Sequence, residues 1–368
     1  MPTIEAVDLF CGVGGLTHGL RMAGISVVAG VDIDPTCKFP FETNHPGAKF
    51  ILRDVAGVAG IELAQLWSPK SIRLLAGCAP CQPFSSYARN KPQDHAKWGM
   101  LFHFARLIRE IQPELITMEN VPGVVREAPF DDFVNALREG GYHMSYEVIN
   151  VADFGVPQNR RRLVLVASRH GPIAMPSRTH QGSDRWVTVK DAVGNLPQLA
   201  DGEIDPYDPL HKAARLSSLN KARIQASVPG GTWRDWPSSL VAECHKRESG
   251  KHSSGVYGRM RWDQTAPTMT TLCYGFGNGR FGHPEQDRAI SLREAAIFQS
   301  FPVDYQFAPT DKPIPMKRVS KLIGNAVPPK LGEAVGRELT KHCVDTFGQV
   351  CTPQPTSKRR PNKRSPRA

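Results

Sequence analysis

The chain has 368 residues, 40% of them apolar and 22% charged, enough for one large and one smaller hydrophobic core and unlike a disordered or fibrous composition. No run approaches the roughly 18 to 20 apolar residues that a bilayer span requires, so a membrane protein is not expected. Lys plus Arg exceed Asp plus Glu by 46 − 35 = 11, which points toward a polyanionic partner.

The N-terminus passes from Met1, Pro2 and Thr3 directly into an apolar run, with no basic region or small-residue cleavage site, so a cytoplasmic address is expected. From residue 4 to about 166, short apolar runs alternate with stretches of helical length. Strands are predicted over 5–10, 26–33, 73–76, 115–118, 146–151 and 163–166, and helices over 16–23, 100–111 and 130–140. Apolar strands alternating with helices predict a parallel, doubly wound α/β sheet. From about residue 172 Pro, Gly, Ser and His become frequent, and Trp186, Trp233, Trp236 and Tyr257 are interspersed with basic residues. This is read as a second, irregular domain. Two more helices are expected, over 291–299 and 331–344. The tail over 352–368 carries six Lys and Arg and no acid, an expected disordered end that could tether phosphates.

The first strand runs into Asp8-Leu9-Phe10-Cys11-Gly12-Val13-Gly14-Gly15-Leu16, a glycine-rich turn that lets backbone approach a nucleotide-like ligand. The dinucleotide fingerprint needs a third glycine where Thr17 stands, so a nicotinamide cofactor is not supported. The second strand ends at Val31-Asp32-Ile33-Asp34, and an acid twenty residues past Gly12 can take the two hydroxyls of a ribose. Asp54, followed by Val55, suits an adenine amino group. Each acid could equally be a helix cap or a solvated loop residue; together they favour an adenosyl ligand.

Residues 77–85 read Gly-Cys-Ala-Pro-Cys-Gln-Pro-Phe-Ser, and Glu119 follows Cys81 by thirty-eight positions. A thiol and a carboxylate offered together suit addition of sulfur to a pyrimidine ring while the ring nitrogen is protonated. Cys78 and Cys81 could instead form a redox pair or half a zinc site. No second CxxC exists, Cys244 with His245 is a poor substitute, and a redox pair leaves the following Gln-Pro-Phe-Ser unexplained; no metal is expected. A thiol is only weakly ionised at neutral pH, so Cys81 needs help from its site. Gln158-Asn159-Arg160-Arg161-Arg162 offers it: alternation along an extended segment puts Gln158, Arg160 and Arg162 on one face. The ordinary reading of three successive arginines is a solvated face.

Taken in order, these segments resemble the cytosine-5 DNA methyltransferase family, as do Pro80-Cys81-Gln82, Glu119-Asn120-Val121, Arg293-Glu294-Ala295-Ala296 and Gly324-Asn325-Ala326-Val327-Pro328-Pro329. The resemblance implies a doubly wound, Rossmann-like α/β methyltransferase domain over 1–171 completed by 303–347, a target-recognition domain over 172–302, and a basic tail over 348–368. It implies S-adenosylmethionine as methyl donor, held by Phe10, Gly12, Val13, Gly14, Gly15, Leu16, Asp32, Ile33, Asp54, Val55, Pro80, Asn325 and Val327. It also implies that Cys81 attacks C6 of a flipped cytosine, that Glu119 holds N3 and the exocyclic amine, that Arg162 reads O2 and that Arg160 supports the thiolate. Asp32 stands where the family more often has Glu.

Double-stranded DNA is the expected partner, contacted by Gln82, Ser85, Arg89, Gln158, Lys246, Arg247, Arg259 and Arg261. A monomer associated with the nucleoid is expected, with a restriction endonuclease acting on the same site as a further candidate partner. Trp233 and Trp236 fit either the small domain's core or DNA contact. The competing readings are a transfer-RNA methyltransferase of similar chemistry, a catalytically silent DNA-binding protein and a dehydrogenase.

Overall fold

A computed structural model of the chain describes residues 3–80, 99–250, 252 and 255–348. Cys81, Gln82, Ser85, Arg89 and the tail beyond residue 348 lie outside the described residues. Among the described residues, seven strands form one sheet: β1 (Ile4–Leu9), β2 (Ser26–Asp32), β3 (Lys49–Leu52), β4 (Ile72–Gly77), β5 (Leu115–Asn120), β6 (His143–Asn150) and β7 (Arg161–Ser168). Their order is β3-β2-β1-β4-β5-β7-β6. β5 is buried along its whole length and β1 nearly so, as central strands covered on both faces must be.

The expectation of a parallel sheet needs one correction. β1 to β5 are parallel, but β7 runs antiparallel to both β5 and β6. Only residues 151–160, with one 3-10 turn, separate β6 from β7, and a parallel return needs a crossover of a dozen or more residues. The consequence is functional. β7 enters the sheet at the edge where β1, β2, β4 and β5 leave it, so the arginines at its start meet the carboxyl ends of the other strands. β3 escaped sequence reading because it is a four-residue edge strand with both ends exposed.

Helices α1 (Gly15–Met22), α2 (Lys38–Asn44), α3 (Gly60–Ala64), α4 (Gly99–Ile111) and α5 (Ala128–Glu139) follow the early strands. After β7 come α6 (Val189–Val193), α7 (Ser218–Gln225), α8 (Glu243–Lys246), α9 (Leu292–Phe298), α10 (Met316–Asn325) and α11 (Pro329–Phe347). Apolar residues of α3, α4 and α5 cover one face of the sheet, and Leu16 and Leu20 of α1 with Leu331, Val335 and Leu339 of α11 cover the other. α9 begins with a reciprocal cap: Glu294 N–H donates to Ser291 Oγ at 3.1 Å and Ser291 N–H to the Glu294 carboxylate at 2.6 Å.

Between β7 and α9 the described residues form isolated bridges and short helices, with no ladder. Buried backbone there still needs partners, and arginines supply them. Arg259 donates to the carbonyls of Ile224, Ser227, His283 and Gln286 at 2.8–3.1 Å and pairs with Asp287. Buried Arg288 grips Glu294 with two bonds of 2.8 Å, and Arg293 holds Asp208. Burial works against the Glu294 charge, yet the bonds and charge of Arg288 outweigh it and hold the carboxyl down at about 2. Trp233 and Trp236 both lie in a small core with Ile224, Phe276 and Ala289. Another part of this segment shares a core with the sheet side: Met260, Ala266, Met269 and Ile290, with Leu292 of α9, fall in one buried cluster with Cys11, Val13, Phe41 and Phe50.

Candidate active site

The site forms along the carboxyl edge of the sheet, where the chain order reverses between β1 and β4 and where open α/β sheets present ligands. β1 ends in a turn whose backbone is unusual: Phe10 has φ 57° and Gly14 φ 89°, both left-handed, where a side chain carries steric strain. Gly14 caps α1, and a Cβ there would lie 2.3 Å from the buried ring of His45. Gly15 lies against Val327, whose carbonyl oxygen would stand 2.1 Å from an added Cβ. Tyr305 donates its hydroxyl to the Val13 carbonyl, fixing the same turn from the α9 side. Burial, then the neighbouring His18, pushes His45 down to about 3, so it packs under the turn as a neutral ring.

Gly12 N–H and Asp34 N–H both donate to Asp32 at 2.8 Å, so the β2 carboxylate is aimed by backbone beside the glycine turn. Its burial raises its pKa while those two bonds pull it down. Ile33 beside it is 65% exposed, an apolar platform at the rim. Asp54 is exposed and caps the next turn through Ala56 N–H, with Val55 buried behind it. Lys321 of α10 pairs with Asp34 at 2.9 Å, tying the helix that ends at exposed Asn325 to this edge.

Asp8 is a buried acid to which the sequence reading gave no role of its own. It is buried on β1, accepts from the Thr17 hydroxyl at 2.7 Å through one oxygen, and leaves its other oxygen buried without a hydrogen-bond partner. Burial raises its pKa to about 7 against the Thr17 bond, with the Asp32 charge adding to the rise. Its place near the carboxyl end of a strand buried along nearly its whole length was the available signal. An orphaned acceptor, an open glycine turn and an aimed carboxylate beside an exposed apolar side chain fit an adenosyl ligand with a cationic end. Among the described residues no group of His, Cys, Asp and Glu is placed to hold a metal ion.

Farther along the edge, buried Glu119 projects from β5. Arg162 of β7 brings Nε to 2.8 Å from Glu119 Oε1, and the Cys78 thiol donates to Glu119 Oε2 at 2.7 Å. Arg161, between the two inward arginines, is exposed, as alternation requires. Arg160 is buried: its two terminal nitrogens donate to the carbonyls of Met269 and Gly324, while Nε has no partner. Burial, then the charge of Arg162, brings its pKa down to about 9. Exposed Pro80 ends the described stretch after β4.

The expected DNA-contacting residues divide. Gln158 is fully buried; its amide donates to Phe298 O and Gln299 Oε1 and its oxygen accepts from Met269 N–H, so it joins α9 to the β7 entrance instead of facing DNA. Arg259 is likewise committed to internal carbonyls. Lys246, Arg247 and Arg261 are exposed, Lys246 beside Glu243 and Arg261 beside Asp263.

Residues 4–341 match the family model described as C-5 cytosine-specific DNA methylase. The chain is 50% identical over 338 residues to the Type II methylase M.HgiDII of Herpetosiphon aurantiacus, covering 91% of this chain and 94% of that one. It is 30% identical to the Type II methyltransferase M.Eco47II of Escherichia coli over 93% of this chain and 80% of the other. A solved structure described as a prophage-encoded DNA modification methyltransferase (E. coli) superposes with TM-score 0.68 at 22% identity, over 92% of this chain and 99% of that one. The Spodoptera frugiperda DNMT2 structure does so with TM-score 0.64 at 16% identity, over 92% and 100%. At those identities the structures share the Rossmann-like fold.

Proposed function

Because the chain belongs to the C-5 cytosine-specific DNA methylase family, we propose that it transfers a methyl group from S-adenosylmethionine to C5 of a cytosine flipped out of a specific duplex DNA sequence. The turn formed by Phe10, Gly12, Val13, Gly14, Gly15 and Leu16 would hold the cofactor with Asp32 on the ribose, Ile33 and Val55 against the adenine, and Asp54 at its amino group. Pro80, Asn325 and Val327 would close that pocket, and Asp8 would face its cationic end. When bound, the cofactor supplies an electrophilic methyl group on a sulfonium sulfur.

The protein's task is to make C5 of cytosine nucleophilic. Cys81 adds to C6, Glu119 holds N3 with its proton and the exocyclic amine, and Arg162 contacts O2. Arg160, whose buried Nε lacks a partner, supports the thiolate. Loss of the C5 proton later expels Cys81. A base inside a duplex cannot reach that thiol, so it is flipped out at a cost of a few kcal/mol.

The observation that carries this reading is the Arg162–Glu119 pair standing beside the end of β4, four residues before Cys81. DNA reading falls to the 172–302 segment, through Lys246, Arg247 and Arg261, and to Gln82, Ser85 and Arg89. The boundaries at 1–171 with 303–347, and at 172–302, are those of catalysis and target recognition. The working enzyme is a cytoplasmic, nucleoid-associated monomer paired in the cell with an endonuclease of the same specificity.

The test is to express the wild type and Cys81→Ala in a host lacking cytosine methylation and to map 5-methylcytosine across its DNA. One repeated sequence context is expected for the wild type and none for the variant, which should still bind cofactor. Methylation confined to transfer RNA, or unchanged in the variant, would overturn the assignment.

A further inference from the structure

We propose that Cys78 is a positioning residue for Glu119, its thiol fixing the carboxylate against Arg162. The inference rests on the proposed function and deepens it. β4 and β5 are parallel neighbours with Gly77 opposite Met118, so the next pair along the edge is Cys78 and Glu119. Their side chains meet: Sγ donates to Oε2 at 2.7 Å while Arg162, arriving on antiparallel β7, stands 2.8 Å from Oε1.

A thiol near a catalytic cysteine invites a redox or nucleophilic reading, and the surroundings oppose both. Burial raises the Cys78 pKa well above its ordinary value, and the adjacent Glu119 charge raises it further, with Arg162 and Arg160 opposing. Thiolate is the reactive form of cysteine, so Cys78 stays a protonated donor. A carboxylate offers about four acceptor positions. With the thiol donating to Oε2 and the Arg162 guanidinium 2.8 Å from buried Oε1, which has no hydrogen-bond partner among the described residues, the carboxylate is held between two fixed groups.

Removing the thiol frees Oε2 and withdraws a bond that favours the charged carboxylate. The experiment uses the full chain and compares wild type, Cys78→Ala and Cys78→Ser in kcat, KM and the pH dependence of turnover. Cys78→Ala should lower kcat roughly tenfold and move the ring-protonation limb of the profile upward by about one pH unit, with cofactor affinity within about twofold showing an intact fold. Cys78→Ser, which keeps a donor, should restore both.

An unshifted profile in Cys78→Ala, or identical behaviour of the Ala and Ser variants, would overturn the proposal. Infrared spectroscopy tests the pair without turnover. The wild type should show a lowered S–H stretch that Cys78→Ala removes and Glu119→Gln moves back up; a band unmoved by Glu119→Gln would refute it. That readout also separates failure of this pairing from failure of the methyltransfer reading.

Discussion

In the seven-stranded sheet, backbone N–H and C=O groups satisfy one another, so polar side chains at the strand ends stay available: Asp32, Glu119 and Arg162 all face the carboxyl edge. Among the described residues of 172–302 no ladder forms, and side chains take over the backbone's hydrogen bonding. Arg259 alone serves four carbonyls and an acid. The same residue type therefore reads differently in the two regions. An arginine at the start of a strand reaches the site, whereas one in the irregular segment substitutes for a missing strand.

The sharpest test of that contrast separates chemistry from stability. Glu119→Gln keeps the side chain's shape and removes its charge and proton site, so turnover should fall by about 10²- to 10⁴-fold. The fold should lose much less, because the strand ladder beneath it is untouched. Measuring methyl transfer and thermal unfolding on the same preparation decides it; a large drop in melting temperature would mean that the edge, too, is held together by its side chains.

Arg259→Met inverts the expectation. It strands four buried carbonyls and an aspartate, and should destabilise the irregular segment by about 3–5 kcal/mol. Proteolysis should then cut first within residues 203–290, while the sheet still binds cofactor. Parallel loss of cofactor binding would instead assign the stronger role to the core shared by Met260, Ala266 and Met269 with Cys11, Val13 and Phe41.

This contrast also explains what was legible beforehand. The α/β character, the glycine turn, Asp32 and Glu119 are local signals, each readable from a strand and the residues that end it. Gln158 is not: its partners are Phe298, Gln299 and Met269, more than a hundred residues away, and its polarity hides its burial. Cys78 failed for a related reason, since its contact with Glu119 depends on β4 and β5 being neighbours, which is a property of sheet order. The direction of β7 could have been inferred from its short link to β6, the one long-range feature with a local cause. Trp233 and Trp236, equally consistent with core or DNA beforehand, became core once Ile224 and Phe276 were seen around them.

The smallest expected effect concerns an arginine of the irregular segment that is not committed to carbonyls. Arg261 is exposed and, among the described residues, pairs locally with Asp263, two residues on. An exposed, solvent-screened pair of this kind contributes little, so Arg261→Ala should leave the melting temperature essentially unchanged. If the side chain exchanges Asp263 for a phosphate on binding, DNA affinity should fall for all sequences alike, and the slope of log affinity against log salt should shrink by about one. If instead it reads a base, discrimination at one position should relax by about 1–3 kcal/mol with the salt slope nearly unchanged. Binding isotherms at several salt concentrations, on the mapped site and on a scrambled duplex, distinguish the two. Unchanged binding in both would place Arg261 outside the interface and leave Lys246 and Arg247 as the segment's candidates.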